Sequence, residues 1–179
     1  MRKTLLWAVL TVLLLSSPVS AAPGTYLDFL RVVDDIETKS VLPSADLPKP
    51  RLPSKRDAQV LTVANSMLGM PVVWGGASPA QGFDCSGLVQ YVFRQTGIDL
   101  PRTADLQFEL GKTVAKPELQ PGDLVYFTTY EPGASHVGIY TGGGKFIHTS
   151  FSQGVVAFGD LNDPYFAARY YGAKRINAG

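Results

Sequence analysis

The chain is poor in cysteine and histidine: its 179 residues include one of the former, Cys85, and two of the latter, His136 and His148. A single cysteine excludes an internal disulfide, so a packed core must hold the fold. It also excludes the C-x-x-C spacing of common zinc sites. With no evident fourth ligand, a Cys-His-His zinc site is disfavoured, and no metal or other cofactor is expected. An excess of one charge is missing too. Sixteen Lys plus Arg stand against 15 Asp plus Glu, which gives no counterion-release drive toward nucleic acid and no basic stripe for anionic membranes. There is no internal repeat or low-complexity tract. One apolar run, Thr4 to Leu15, falls short of the roughly 20 residues of a membrane span, and no second run follows. No cysteine follows it either, so neither a spanning helix nor a lipidated cysteine is expected to anchor the chain.

What is present at the start is an address. Arg2 and Lys3 precede that apolar run, and Pro18 with the small residues "VSA" fits a cleavage site after Ala21. Residues 1–21 therefore read as an export signal, and the product as periplasmic or extracellular. Cleavage takes two of the 16 basic residues and no acidic one, leaving 14 against 15, formally −1.

Residues 22–53 hold a short amphipathic helix, with Tyr26, Phe29, Leu30, Val33 and Ile36 at helical spacing. Pro43, Pro48, Pro50 and Pro53 follow in a linker too proline-dense for helix or central strand. The main domain is expected over 54–179. Ser54 and Asp57 predict a capped helix whose apolar face is Val60, Leu61, Ala64, Met67 and Leu68, stopped by Gly69. Asp84 predicts the N-cap of a second helix with Leu88, Val89, Val92 and Phe93 on one face and Gly97 as its stop. A shorter helix is predicted over Ala104 to Leu110. The periodicity then changes to short strands, "DLVYFTT", "HVGIYT", "KFIHTS" and "GVVAF", parted by turn residues. Helices followed by sheet predict an α+β fold, with N-terminal helices packed on a small antiparallel sheet.

Cys85 sits between Asp84 and Ser86 in a loop carrying Gly75, Gly76, Gly82 and Gly87, where backbone can approach a ligand closely. The alternative is a small buried hydrophobe on the helix's core face. A helix dipole contributes about 0.3–1 kcal/mol, less than the ~1.4 kcal/mol that moves a pKa by one unit. A nucleophilic Cys85 thus needs a cationic partner, usually imidazolium. Both histidines lie in adjacent predicted strands joined through "GGG". A turn centred on Gly142 or Gly143 gives paired residues an even index sum and puts both rings on one sheet face; a two-residue turn at Gly142 and Gly143 puts them on opposite faces. The three glycines leave this open. The expected division is Cys85 as nucleophile, His136 as base and acid, and His148 as the residue that orients His136.

The segments "PVVWGGASPAQGFDCSGLVQYVF", "LPRTADLQ", "LQPGDLVYF", "SHVGIYTGGGKFIHTS" and "NDPYFAARYYGAKRI" resemble, in order and spacing, the NlpC family of papain-like bacterial cell-wall cysteine peptidases, from about Ser54 to Ile176. The closing segment looks most like the Spr-type murein endopeptidases. The resemblance implies a papain-like domain that hydrolyses a peptide bond of peptidoglycan stem peptides or cross-links through a thioester on Cys85, with His136 and His148 completing the catalytic set. It implies that Asp84 and Ser86 border the substrate cleft. Arg102 then binds a stem-peptide carboxylate or forms a structural ion pair, and Trp74 lines the cleft or packs beside it. One departure is Val72, where many members of the family carry tyrosine. The cysteine-first order separates the chain from the permuted acyltransferases. Two other readings remain, a weakly catalytic wall-binding scaffold and an exported amidase or acyltransferase with another substrate. The segment 22–53 is a spacer, an occluding pro-segment or a docking helix for an envelope protein partner.

Overall fold

The computed structural model describes residues 54–176; the export signal, helix and linker expected over residues 1–53 lie outside the described residues. Ser54 and Asp57 form the reciprocal capping box, Asp57 N–H donating to Ser54 Oγ at 3.1 Å and Ser54 N–H to Asp57 Oδ2 at 2.7 Å. Two orphan donors are satisfied there, and the helix α1 runs Lys55–Ser66. The hairpin β1 (Ala77–Ser78) and β2 (Gly82–Phe83) leads directly into α2, Cys85–Arg94. Gly87 in its first turn costs about 0.5–1 kcal/mol of helix propensity. Burial of Leu88, Val89 and Val92, none of which keeps exposed surface, is worth roughly 1.5–3 kcal/mol each and outweighs it. A larger residue has no room at 87, because its Cβ would run into the carbonyl oxygen of Gly76. The third helix, α3 (Ala104–Phe108), stops short of the expected Leu110.

The four expected strands are β4 (Leu124–Phe127), β5 (His136–Gly142), β6 (Lys145–Ser150) and β7 (Val155–Asp160), a continuous antiparallel meander. The sheet is larger than that meander. β3 (Lys112–Thr113) and β8 (Tyr170–Arg175) complete the antiparallel order β3-β8-β4-β5-β6-β7, with a short helix α4 (Pro164–Ala167) before β8. Alternation along the strands buries both faces. Leu124, Tyr126, Val137, Ile139 and Ile147 pack under α1 and α2, whereas Val125, Phe127, Tyr140 and Phe146 form a second core with Leu161 and Ala173. Helices followed by an antiparallel sheet make the domain α+β, and among the described residues no helix is long and apolar enough to cross a membrane.

Candidate active site

The β5–β6 turn settles the position of the two histidines. Ile139 pairs with Ile147 and Tyr140 with Phe146, an even sum, and a bulge before Gly142↔Lys145 absorbs the remaining residue. His136 and His148 therefore share a face, and their rings meet: His136 Nε2 and His148 Nδ1 are 3.0 Å apart. A Cβ at Gly138 would lie 3.3 Å from His148 Cβ and 2.6 Å from the Phe146 ring. The missing side chain is what leaves space for those rings. Phe127 lies against His136, while Phe146 and Phe166 flank His148. Each histidine is only 5% exposed, and burial, with His148 beside it, holds His136 well below the usual imidazole range. Burial does the same to His148 against the opposing effect of a backbone hydrogen bond with Thr149.

Cys85 comes from the other side. It is the first residue of α2, belongs to the helix-covered core and is 5% exposed. Its sulfur is met by the backbone N–H of Val137, the residue next to His136. Burial pushes the thiol up to about 11, the Val137 N–H opposes that, and the negative charge of Asp84 adds to it. The backbone N–H groups of Ser86 and Cys85, first-turn donors without a partner inside the helix, also act to lower it. Burial thus disfavours the charged form of the thiol and of both imidazoles, against the thiolate–imidazolium pair expected for a nucleophilic Cys85.

Asp84 fixes the start of α2. Oδ1 accepts from Gly87 N–H at 2.8 Å and Oδ2 from Gly75 N–H at 2.9 Å, so one carboxylate ties the glycine loop to the helix. Arg102 closes on it bidentately and donates as well to Ser86 Oγ at 3.1 Å. Burial raises the Asp84 carboxyl, but the Arg102 hydrogen bond and the Gly87 and Gly75 amides outweigh it and hold the group below the usual carboxylate range. Of the two roles open to Arg102, the geometry is that of the ion pair. Gln107, unnoticed in the sequence and fully buried, donates to Ser86 O at 3.0 Å and Pro101 O at 2.8 Å.

A cavity of about 1180 Å³ opens beside the histidines. Trp74, 68% exposed, lines it with Tyr130 and Phe151, and packs edge-on to Tyr130 at 5.3 Å between centroids. Trp74 thus both lines a cleft and packs. Asp84, Ser86 and Arg102 are not among the residues that line it, and neither is Cys85. Tyr130 and Phe151 escaped the sequence reading because loop aromatics carry no periodicity. Val72, two residues before Trp74, is held by its N–H on Gly154 O at 2.9 Å and by a bridge to Phe83. Among the described residues no group of three or more His, Cys, Asp or Glu is placed to hold a metal ion.

Comparison with known proteins places this arrangement among relatives. The model of the NlpC/P60 family matches residues 69–175. A γ-DL-glutamyl hydrolase of Bacillus subtilis is 46% identical over 127 residues, covering 70% of this chain and 30% of its own length. A murein DD-endopeptidase and murein LD-carboxypeptidase of Escherichia coli, MepS, is 46% identical over 102 residues, 56% of this chain and 53% of its own. The matched part thus spans about a third to a half of these relatives. Among solved structures, an NLP/P60-family protein of Staphylococcus aureus, described as similar to lipoprotein, superposes with a TM-score of 0.65 at 33% identity, covering 75% of this chain and 45% of that one.

Proposed function

The chain belongs to the NlpC/P60 family, and from that membership we propose that it is an exported peptidoglycan endopeptidase acting through Cys85, His136 and His148. The observation that carries this reading is that His136, hydrogen-bonded to His148 of β6, opens the strand β5 whose next amide, that of Val137, acts on the Cys85 thiol. A cysteine nucleophile need not be widely exposed in the free protein. What it needs is a base, an orienter and an oxyanion site, and each has a candidate among these residues.

The 3.0 Å contact requires one ring to donate and the other to accept, and the base role selects His136 as donor. When His136 Nε2–H donates to His148 Nδ1, the Nδ1 of His136 is left as an acceptor for the thiol proton, and His148 must carry its own proton on Nε2. Proton transfer to His136 then accompanies attack of sulfur on the scissile carbonyl carbon. The oxyanion is stabilised by the free first-turn N–H of Cys85. Collapse breaks the C–N bond, His136 returns the proton to the leaving amine, and water hydrolyses the thioester with His136 again as base. A neutral resting pair suits this sequence, since the proton moves only as the tetrahedral intermediate forms. Asp84 and Arg102, with the Ser86 hydroxyl between them, keep α2 and its amides aimed at that point, and Trp74 lies beside the bound stem peptide.

The relatives' names point to different bonds, a γ-DL-glutamyl bond in one and a DD cross-link in another. Mass-spectrometric analysis of muropeptides from purified sacculi, treated with wild type or Cys85→Ala, tests the function and reads the bond from the new termini. Conversion of dimers to monomers, or shortened stems, by wild type alone is expected. An unchanged profile with wild type overturns the proposal.

A further inference from the structure

Tyr130 lies in the loop between β4 and β5, a segment whose backbone is tied down at several points. Thr129 N–H donates to Ser135 Oγ at 2.8 Å, Thr128 Oγ1 to Gly133 O at 2.8 Å, and Ser135 N–H to Phe127 O at 3.1 Å. The loop thus presents Tyr130 at a fixed place just ahead of His136. Its ring is set edge-on to Trp74, and both rings border the cavity that also takes in His136 and His148. Although 54% of the residue is exposed, partial burial pushes its hydroxyl up to about 12, with the charges of Cys85, Glu131 and Asp84 acting in the same direction. The phenol is therefore a proton donor at every physiological pH, and it borders the same cavity as His136, the proposed base.

We propose that Tyr130 is a further catalytic residue, its hydroxyl donating a hydrogen bond to the oxygen of the scissile carbonyl as that oxygen takes up negative charge. This rests on the reading of the site as a peptide hydrolase. The backbone N–H of Cys85 supplies one donor to the oxyanion from the helix side. Tyr130 supplies a second from the loop side, a neutral donor that costs no proton and whose position is set before substrate arrives. Removing one preorganised donor of this kind slows turnover by about 10²–10³-fold, while ground-state binding changes little.

The test is steady-state kinetics of wild type and Tyr130→Phe on muramidase-solubilised muropeptides, with the alkylation rate of Cys85 by iodoacetamide measured in parallel. Phenylalanine keeps the edge-on contact with Trp74, so the fold and the alkylation rate are expected to stay as in wild type while kcat falls about 100-fold and KM moves less than threefold. Wild-type kcat in Tyr130→Phe overturns the inference, and so does a change confined to KM. Were Tyr130→Phe to lower the unfolding temperature, Tyr130→Trp, which retains an aromatic ring and an N–H donor, is expected to recover part of kcat, and its failure to do so counts against a donor role. Inactive wild type sinks the hydrolase reading itself, whereas active wild type with an indifferent Tyr130 sinks only this inference.

Discussion

Arg102 grips Asp84 two-pronged, Nη1 to Oδ1 at 2.9 Å and Nη2 to Oδ2 at 2.5 Å, across 18 residues of sequence. Asp84 in turn caps the helix that begins with Cys85. Asp84→Ala removes a cap and leaves Arg102 without its partner. Caps are worth about 0.5–2 kcal/mol, and the ion pair, with Arg102 over a third exposed, adds less than a fully buried one would. A loss of about 1–3 kcal/mol by urea unfolding is expected for Asp84→Ala. Double-mutant cycles with Arg102→Ala are expected to be non-additive; simple additivity would mean that the two residues act independently.

In the proposed mechanism His148 orients His136, with which it is hydrogen-bonded, and takes no part in the bond that breaks. His148→Ala is therefore expected to leave substrate affinity within a few-fold of wild type and to lower kcat about 10²–10⁴-fold through loss of the His136 tautomer. His148→Gln, which can still accept from His136, should fall between the two. Equal activity of His148→Ala and wild type in a muropeptide assay would remove the orienting role.

Burial raises the Cys85 thiol to about 11. The free protein is thus expected to react slowly with iodoacetamide at pH 7, and its rate should keep climbing beyond pH 9. A plateau reached near neutrality would instead reveal a standing thiolate–imidazolium pair.

Both histidines have folded-state pKa values depressed by burial. The unfolded chain binds their protons first, so the stability they contribute is complete above about pH 6.5 and is lost as pH falls from there toward their lower folded values. With two sites the slope cannot exceed about 2.7 kcal/mol per pH unit. Denaturant unfolding at pH 7.5 and pH 5 should show the loss before carboxylates such as Asp84 titrate, and His148→Gln should make it smaller. A flat profile over that interval would place the imidazoles in water.

Much of this was legible because it is local. Ser54 with Asp57, and Asp84 before an apolar face, are cap signals that act within four residues, and both helices begin where those residues say. The shared face of the histidines was one of two outcomes of the "GGG" turn, and the choice between them depends on a bulge at Gly142 that no pattern announces. β8 was not foreseen as a strand, since Ala173 is the one fully buried residue in "YYGAKR" and the strand exists through its partners β3 and β4 far back in the chain. Likewise the Asp84–Arg102 pair, Gln107 and Tyr130 owe their places to tertiary contacts, and neither spacing nor composition carries those.

β8 also dictates an order of events. It enters between β3 and β4, and its Arg175 holds the buried Asp123 by two hydrogen bonds, 2.7 Å to Oδ1 and 2.8 Å to Oδ2. Until residues 170–175 have been synthesised, one edge of β4 lacks its neighbour and Asp123 lacks its counter-charge. The nascent domain therefore lacks an interior strand of its sheet until almost all of it has been made.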